Sequence, residues 1–234
     1  MGYGEVWLGE ARFGFILTKG KNMESLRKYK ISLKSLTPLI MHSDRLCNPL
    51  DPLAKQLKEI SSIKKKTDDH HLAMARLSWE GSLYYEKEVG VYMPTKCLLG
   101  CFKAAAKKYR LGKQSKAIFI DLGIGCTIWR DEEFSYKNTT PEQLWRMMDS
   151  NDCQVHVHCA SVVVQNSRLM RYRPIFPKWQ IEFESYLNTE LLNEKDFRSI
   201  IETAGMEMGI GELRPELANG NFGRFELIKI KEVK

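Results

Sequence analysis

The stretch "VYMPTKCLLGCFKAAAKKYR", residues 91–110, changes its period in the middle, and that change decides how the rest of the chain is read. Up to Pro94 it completes an extended segment, "GSLYYEKEVGVYMP", predicted as one strand. Beyond it Leu98, Phe102, Ala105 and Tyr109 recur at intervals of four, three and four, the apolar stripe of an amphipathic helix. Pro94 suits a first helical turn and Thr95 an N-cap, so a helix is predicted from there through Arg110. The other side carries Lys96, Lys103, Lys107 and Arg110 as one cationic stripe, and no acidic residue between Thr95 and Arg110 offers an i to i+4 partner. Two readings fit such a stripe, a solvated face and a contact for an anion.

Working outward, "YKISLKSL" alternates Tyr29, Ile31 and Leu33 with Lys30, Ser32 and Lys34, the period of a strand with one wet face, and "TPLIMHSD" continues it in extended form. Residues 48–78 read as a helical insertion after this first strand, two helical stretches joined by the Lys64-Lys65-Lys66 elbow. Downstream, "KAIFIDLGIGCTIW" reads as strand, turn and strand, "TPEQLWRMM" as a short helix, and "QVHVHCASVVVQNS" and "WQIEFESYL" as strands. A capped helix is predicted to stop at Gly205, and "FELIKIKEVK" closes the chain as a strand. This order implies an α+β fold, a modified ferredoxin-like (RRM-like) sheet with helices on one face. The glycine-rich residues 1–22 lack a clean period and read as an N-terminal extension, with residues 23–234 as a single domain.

Composition narrows the function. With 234 residues, 36 Lys and Arg against 29 Asp and Glu, and a net charge of +7, the chain favours anionic partners. No apolar run reaches the roughly 18 residues of a membrane span and no signal peptide is evident, so a soluble, cytoplasmic protein is expected. The six cysteines are scattered, as reduced thiols would be. "CQVHVHC", residues 153–159, puts His156 and His158 on one face of a strand, but Val155 and Val157 fill the other, as an ordinary half-buried strand requires. No metal site and no cofactor is expected, since there is no P-loop, no dinucleotide fingerprint and no nucleophile elbow.

Two further segments carry the cationic theme. In "RLMRYRPIFPKW" Arg168, Arg171 and Arg173 interleave with Met170, Tyr172, Phe176 and Trp179, the mixture that holds single-stranded nucleic acid by stacking and phosphate contact, or that fills a β-layer core. In "GIGELRPELANGNFGRF", residues 209–225, Gly209, Gly211, Gly220 and Gly223 surround Arg214 and permit positive φ and close backbone approach.

Three stretches together resemble the RAMP superfamily, which includes backbone and processing subunits of CRISPR effector complexes. "SLTPLIMHSD" resembles its first strand and turn, "VYMPTKCLLGCFKAAAKKY" its strand-to-helix junction, and "GIGELRPELANGNFGRFEL" its glycine-rich loop and closing strand. His42-Ser43-Asp44 and Thr95-Lys96-Cys97 depart from the more glycine- and serine-rich family pattern. The combination of "HSDRLCNPLDPLAK…KKKTDD", "RYRPIFPKW" and "GxGxxRP…GxFGxF" is also similar to uncharacterised bacteriophage and prophage proteins, for which a bacterial host's cytoplasm is the expected location. The resemblance implies that the start of the Thr95 helix and the loop 209–223 lie near one another across the sheet.

The expectation is therefore a non-catalytic nucleic-acid-binding protein that holds single-stranded RNA or DNA through Lys96, Lys103, Lys107, Arg110, Arg168, Arg171, Arg173 and Arg214 and the loop glycines, with side-by-side assembly as a homo-oligomer or effector-type complex. One alternative is a RAMP-type endoribonuclease using His42 as acid or base; His70, His71, Asp44, Asp51, Asp68 and Asp69 are further candidates but form no recognised catalytic spacing. Another is a phage protein that contacts a host protein complex.

Overall fold

Strand β1 (Leu26–Ser35) organises the chain: Tyr29, Ile31 and Leu33 are 2%, 0% and 1% exposed, so one face of the strand is core, as its alternation requires. The computed structural model describes residues 25–120, 126–129, 139–147, 156–164, 167–218 and 220–233. The expected extension 1–22, Cys153 and the glycines of "GIG" at 123–125 lie outside them.

β1 pairs antiparallel with β10 (Phe225–Val233) on one side and β9 (Gln180–Asn188) on the other, and β5 (Ile118–Ile120) and β6 (Cys126–Trp129) both pair with β9. Helix α3 (Thr95–Lys108) lies in sequence between β1 and β5, and α5 (Glu194–Thr203) between β9 and β10. The order β10-β1-β9-β6 with these two helices is the split βαββαβ arrangement of a ferredoxin-like fold. Both helices cover the buried face: Phe102 of α3 lies 6.3 Å from Phe183, and Phe197 of α5 stands edge-on to Tyr29 at 5.7 Å. On the opposite face Lys28 pairs with Glu184 at 2.6 Å, Lys30 pairs with Glu182, and Phe119 stacks on Tyr186 at 5.1 Å. These cross-strand pairs neutralise Lys28 and Lys30.

A second sheet, β2 (Leu39–Ile40), β8 (Ser167–Phe176) and β7 (His156–Val164), carries a regular hairpin from His156 opposite Ile175 to Val164 opposite Ser167. The helical insertion is α1 (Pro52–Ser62) and α2 (Asp68–Glu80). Trp79 of α2 is fully buried, stands edge-on to Trp145 of α4 (Pro141–Met147), and donates its indole N–H to the His156 carbonyl at 3.3 Å.

Three local expectations are corrected. Residues 81–94 form a tight hairpin, β3 (Tyr85–Glu86) against β4 (Gly90–Met93), instead of one strand. Helix α3 begins with Pro94 as N-cap and Thr95 as its first residue, and ends at Lys108. Arg110 lies beyond it with φ +61°; its N–H reaches Lys107 O at 3.0 Å while that of Leu111 reaches Ala106 O at 2.9 Å, so Arg110 occupies the left-handed position of a Schellman cap and leaves the lysine stripe. Gly205 does not stop α5, which continues as a π-turn over Ala204–Met208; a Cβ on Gly205 would sit 2.1 Å from Phe225 O, so the glycine admits β10 instead. Of the two readings of the arginine-aromatic segment, Phe176 and Trp179 follow core filling: both are fully buried, Trp179 edge-on to Phe225. No helix among the described residues is long and apolar enough to cross a membrane.

Candidate nucleic-acid interface

The first turns of α3 and the glycine-rich loop face each other across a cleft of about 710 Å³, lined by Lys96 and Gly100 on one wall, Gly211 and Arg214 on the other, and His42 and Tyr84 at one end. The loop includes the short helix α6 (Pro215–Ala218). It is held rather than loose. The Glu212 N–H donates to Ile40 O at 2.9 Å, the Gly223 N–H to Pro38 O at 2.7 Å, and the Ile210 N–H to Gly223 O at 3.0 Å. Gly209, Gly211 and Gly223 have φ of +68°, +83° and +70°, and a Cβ on Gly211 would lie 2.4 Å from Ile40 O. At Gly220 it would lie 1.7 Å from Leu213 O. The glycines thus serve contact with the chain's own backbone.

Beneath the cleft Arg173, only 5% exposed, ties three segments together. Its Nε donates to Glu212 at 2.9 Å, Nη1 to the Ser82 hydroxyl at 3.0 Å, and Nη2 to His42 Nε2 at 3.0 Å. A guanidinium can only donate, so His42 Nε2 is the acceptor and its proton sits on Nδ1, which lies 3.5 Å from Glu212. Burial pushes the His42 pKa below its ordinary value and the Arg173 and Arg171 charges add to that, against a smaller opposing pull from Glu212 and Asp44. The hydroxyl of Tyr84 donates to the His42 carbonyl at 2.9 Å, and burial raises the Tyr84 pKa.

The predicted cations do not share one surface. Lys96, 70% exposed at its side chain and 3.9 Å from Asp44, and Arg214, which donates to Glu216 at 3.1 Å and to Gly211 O at 3.0 Å, line the cleft. Lys103 and Lys107 continue the Lys96 face along α3, exposed and without an acidic partner within 4 Å among the described residues. Arg171 is half-buried, on the same face of β8 as Arg173 and close enough to influence His42. Arg173 itself is an interior tie, Arg110 a helix cap, and Arg168 is exposed on the opposite face of β8.

Among the other acid, base and metal candidates, Asp51 and His70 have structural roles. Asp51 caps α1 through Leu53 N at 2.8 Å and accepts from Arg45 at 2.6 Å. Burial alone would raise its pKa, but the Arg45 and backbone hydrogen bonds outweigh that and lower it. His70 Nδ1 accepts from Thr67 N at 3.0 Å in a capping box, with Asp68 and Asp69 in the first turn of α2. His71 is exposed on α2. His156 and His158 share a face of β7, His158 edge-on to Phe222 at 5.7 Å, while Cys159 alternates to the other face. Among the described residues no three His, Cys, Asp or Glu side chains cluster as metal ligands, and Cys47, Cys97, Cys101, Cys126 and Cys159 are free thiols. Burial pushes the Cys126 thiol up to about 12 and raises Cys97, which faces the cleft.

Sequence reasoning missed Glu212, Ser82 and Gly100. Glu212 and Gly100 sit in segments already singled out, but nothing local distinguishes them; Ser82 carries no signal at all.

No family model and no curated protein matches the chain. Solved structures do resemble it in shape. A chain of the Type III-B Cmr-beta complex bound to cognate target RNA matches with a TM-score of 0.44 and 14% identity, over 89% of this chain and 61% of that one. Cmr6 from Pyrococcus furiosus matches with a TM-score of 0.36 and 11% identity, over 89% of this chain and 100% of that one. The chain thus spans 61% of the length of the first of these structures.

Proposed function

We propose that this protein binds single-stranded nucleic acid, RNA or DNA, in the cleft between α3 and the glycine-rich loop, and does so without cutting it. The observation that carries the reading is the exposed row Lys96, Lys103 and Lys107 on a helix with no acidic residue, opening into a cleft whose far wall supplies Arg214. Helix N-terminal amides add to the attraction for phosphate oxygens near Lys96. Glu216 is paired with Arg214, Glu212 with Arg173, and Asp44 stands 3.9 Å from Lys96 with both side chains at least 70% exposed, so the surplus positive charge is that of Lys103 and Lys107.

The non-catalytic part of the reading rests on His42. Its Nε2 lone pair is occupied by a buried arginine, so it is not free to take a proton from a ribose hydroxyl. Neutralising phosphates gives an affinity that falls with salt, with a slope near −0.7 per phosphate for a single strand.

The test is binding of a fluorescein-labelled single-stranded 20-mer, as RNA and as DNA, over a salt series. Combined charge reversal, Lys96→Glu with Lys103→Glu, is expected to weaken binding by roughly tenfold or more at low salt and to flatten the slope by about one. The reversal Lys103→Glu with Arg171→Glu acts in the same direction. Unchanged retention by these variants would contradict the proposal, and discrete RNA products abolished by His42→Ala would replace it with the nuclease reading.

A further inference from the structure

Gly100 occupies the interior of α3, a helix of 14 residues, where glycine is among the least favourable choices. Elsewhere the missing side chain has an internal cause. At Gly205, Gly211 and Gly223 a Cβ would come within 2.1, 2.4 and 1.8 Å of a backbone oxygen. At Gly100 a Cβ would meet no atom within 4 Å, and its φ is not in the left-handed region. Nothing in the described part of the chain requires a glycine there, yet Gly100 lines the cleft. It stands one turn after Lys96 and one turn before Lys103 on the same helix face, and the two lysines are about 10 Å apart along the helix axis.

We infer that Gly100 is the crossing point of the bound strand: the sugar-phosphate backbone passes over the bare main chain of α3 there, with phosphates held by Lys96 on one side and Lys103 on the other. The inference rests on the nucleic-acid reading above and adds to it where the strand lies. Charge complementarity selects this occupant, since α3 itself carries no acid, the acids of the opposite wall are paired with arginines, and Asp44 meets Lys96 only as an exposed pair at 3.9 Å. A side chain at position 100 would lift the strand off the helix without removing any charge. That separates its effect from that of the lysines.

The experiment compares Gly100→Ala and Gly100→Leu with the wild type in thermal melting and in binding of a labelled 20-nucleotide oligouridylate over a salt series. Both substitutions are expected to leave the melting temperature unchanged or to raise it by about 2–4 °C. Affinity is expected to fall by about threefold for Ala and about tenfold or more for Leu, with the salt slope unchanged. Wild-type affinity in Gly100→Leu would overturn the crossing point while leaving the binding reading intact. No binding by the wild type itself would overturn both. A lowered melting temperature in Gly100→Ala would show that the fold needs the glycine, and would also overturn the inference.

Discussion

Arg173 ties three segments of the fold together. It is buried with each nitrogen of its guanidinium directed at a different segment, and the Glu212 carboxylate and Ser82 hydroxyl it satisfies are themselves 29% exposed at the side chain and 1% exposed. Removing one member of such a set strands the others, so Arg173→Met is expected to lower unfolding free energy by roughly 2–4 kcal/mol in urea denaturation, whereas Arg171→Met stays within about 0.5–1 kcal/mol. His42 adds a pH dependence of definite sign. Its pKa is lowered from 6.5 in the folded chain, so as pH falls below 6.5 the unfolded chain takes up the proton first and stability declines. Above that value the contribution is fully present; below the depressed folded value its loss is complete. Urea midpoints between pH 7.5 and 5.5 are expected to fall more for the wild type than for His42→Gln.

Helix α3 shows how one element serves two ends. Its apolar face, with Leu98, Phe102 and Ala105 fully buried or nearly so, holds it to the sheet, which leaves the lysine face turned outward. Its C-terminus closes by a Schellman cap with an arginine where glycine is the usual residue. Arg110→Gly is expected to stabilise the protein by up to about 1 kcal/mol, read as a rise in melting temperature, because the left-handed position no longer strains a Cβ. It is expected to leave nucleic-acid binding intact, since Arg110 stands off the stripe. The insertion helices follow local rules more plainly: Asp51 and Thr67 with His70 close their N-termini, so Asp51 and His70 are explained by capping.

At the scale of the whole molecule the net charge of +7 is unevenly spent. On the open face of the main sheet Lys28 and Lys30 are paired with Glu184 and Glu182, whereas Lys103 and Lys107 on α3 lack such partners among the described residues. Salt sensitivity of binding should therefore track the α3 lysines rather than Lys28 and Lys30, and the Lys96 and Lys103 reversals measure the α3 share. The ferredoxin-like core brings this about: α3 and α5 cover one face, and the hydrogen bonds from the glycine loop to Pro38 and Ile40 carry the loop back beside the first turns of α3.

The sequence by itself determined the α+β class, the strand alternation of β1 and β9, the helical insertion, and the acid-free cationic face of α3. Those signals depend on residues a few positions apart, where periodicity and capping act. The tertiary structure decided which cations remain outside. Arg173 looks like its neighbours Arg168 and Arg171 in the chain, but its partners Glu212, Ser82 and His42 lie 39, 91 and 131 positions away, beyond any local pattern. The same holds for the glycines: those at 205, 211 and 223 admit backbone from distant or returning segments and the one at 100 faces open space, a distinction that exists only once the chain has folded against itself.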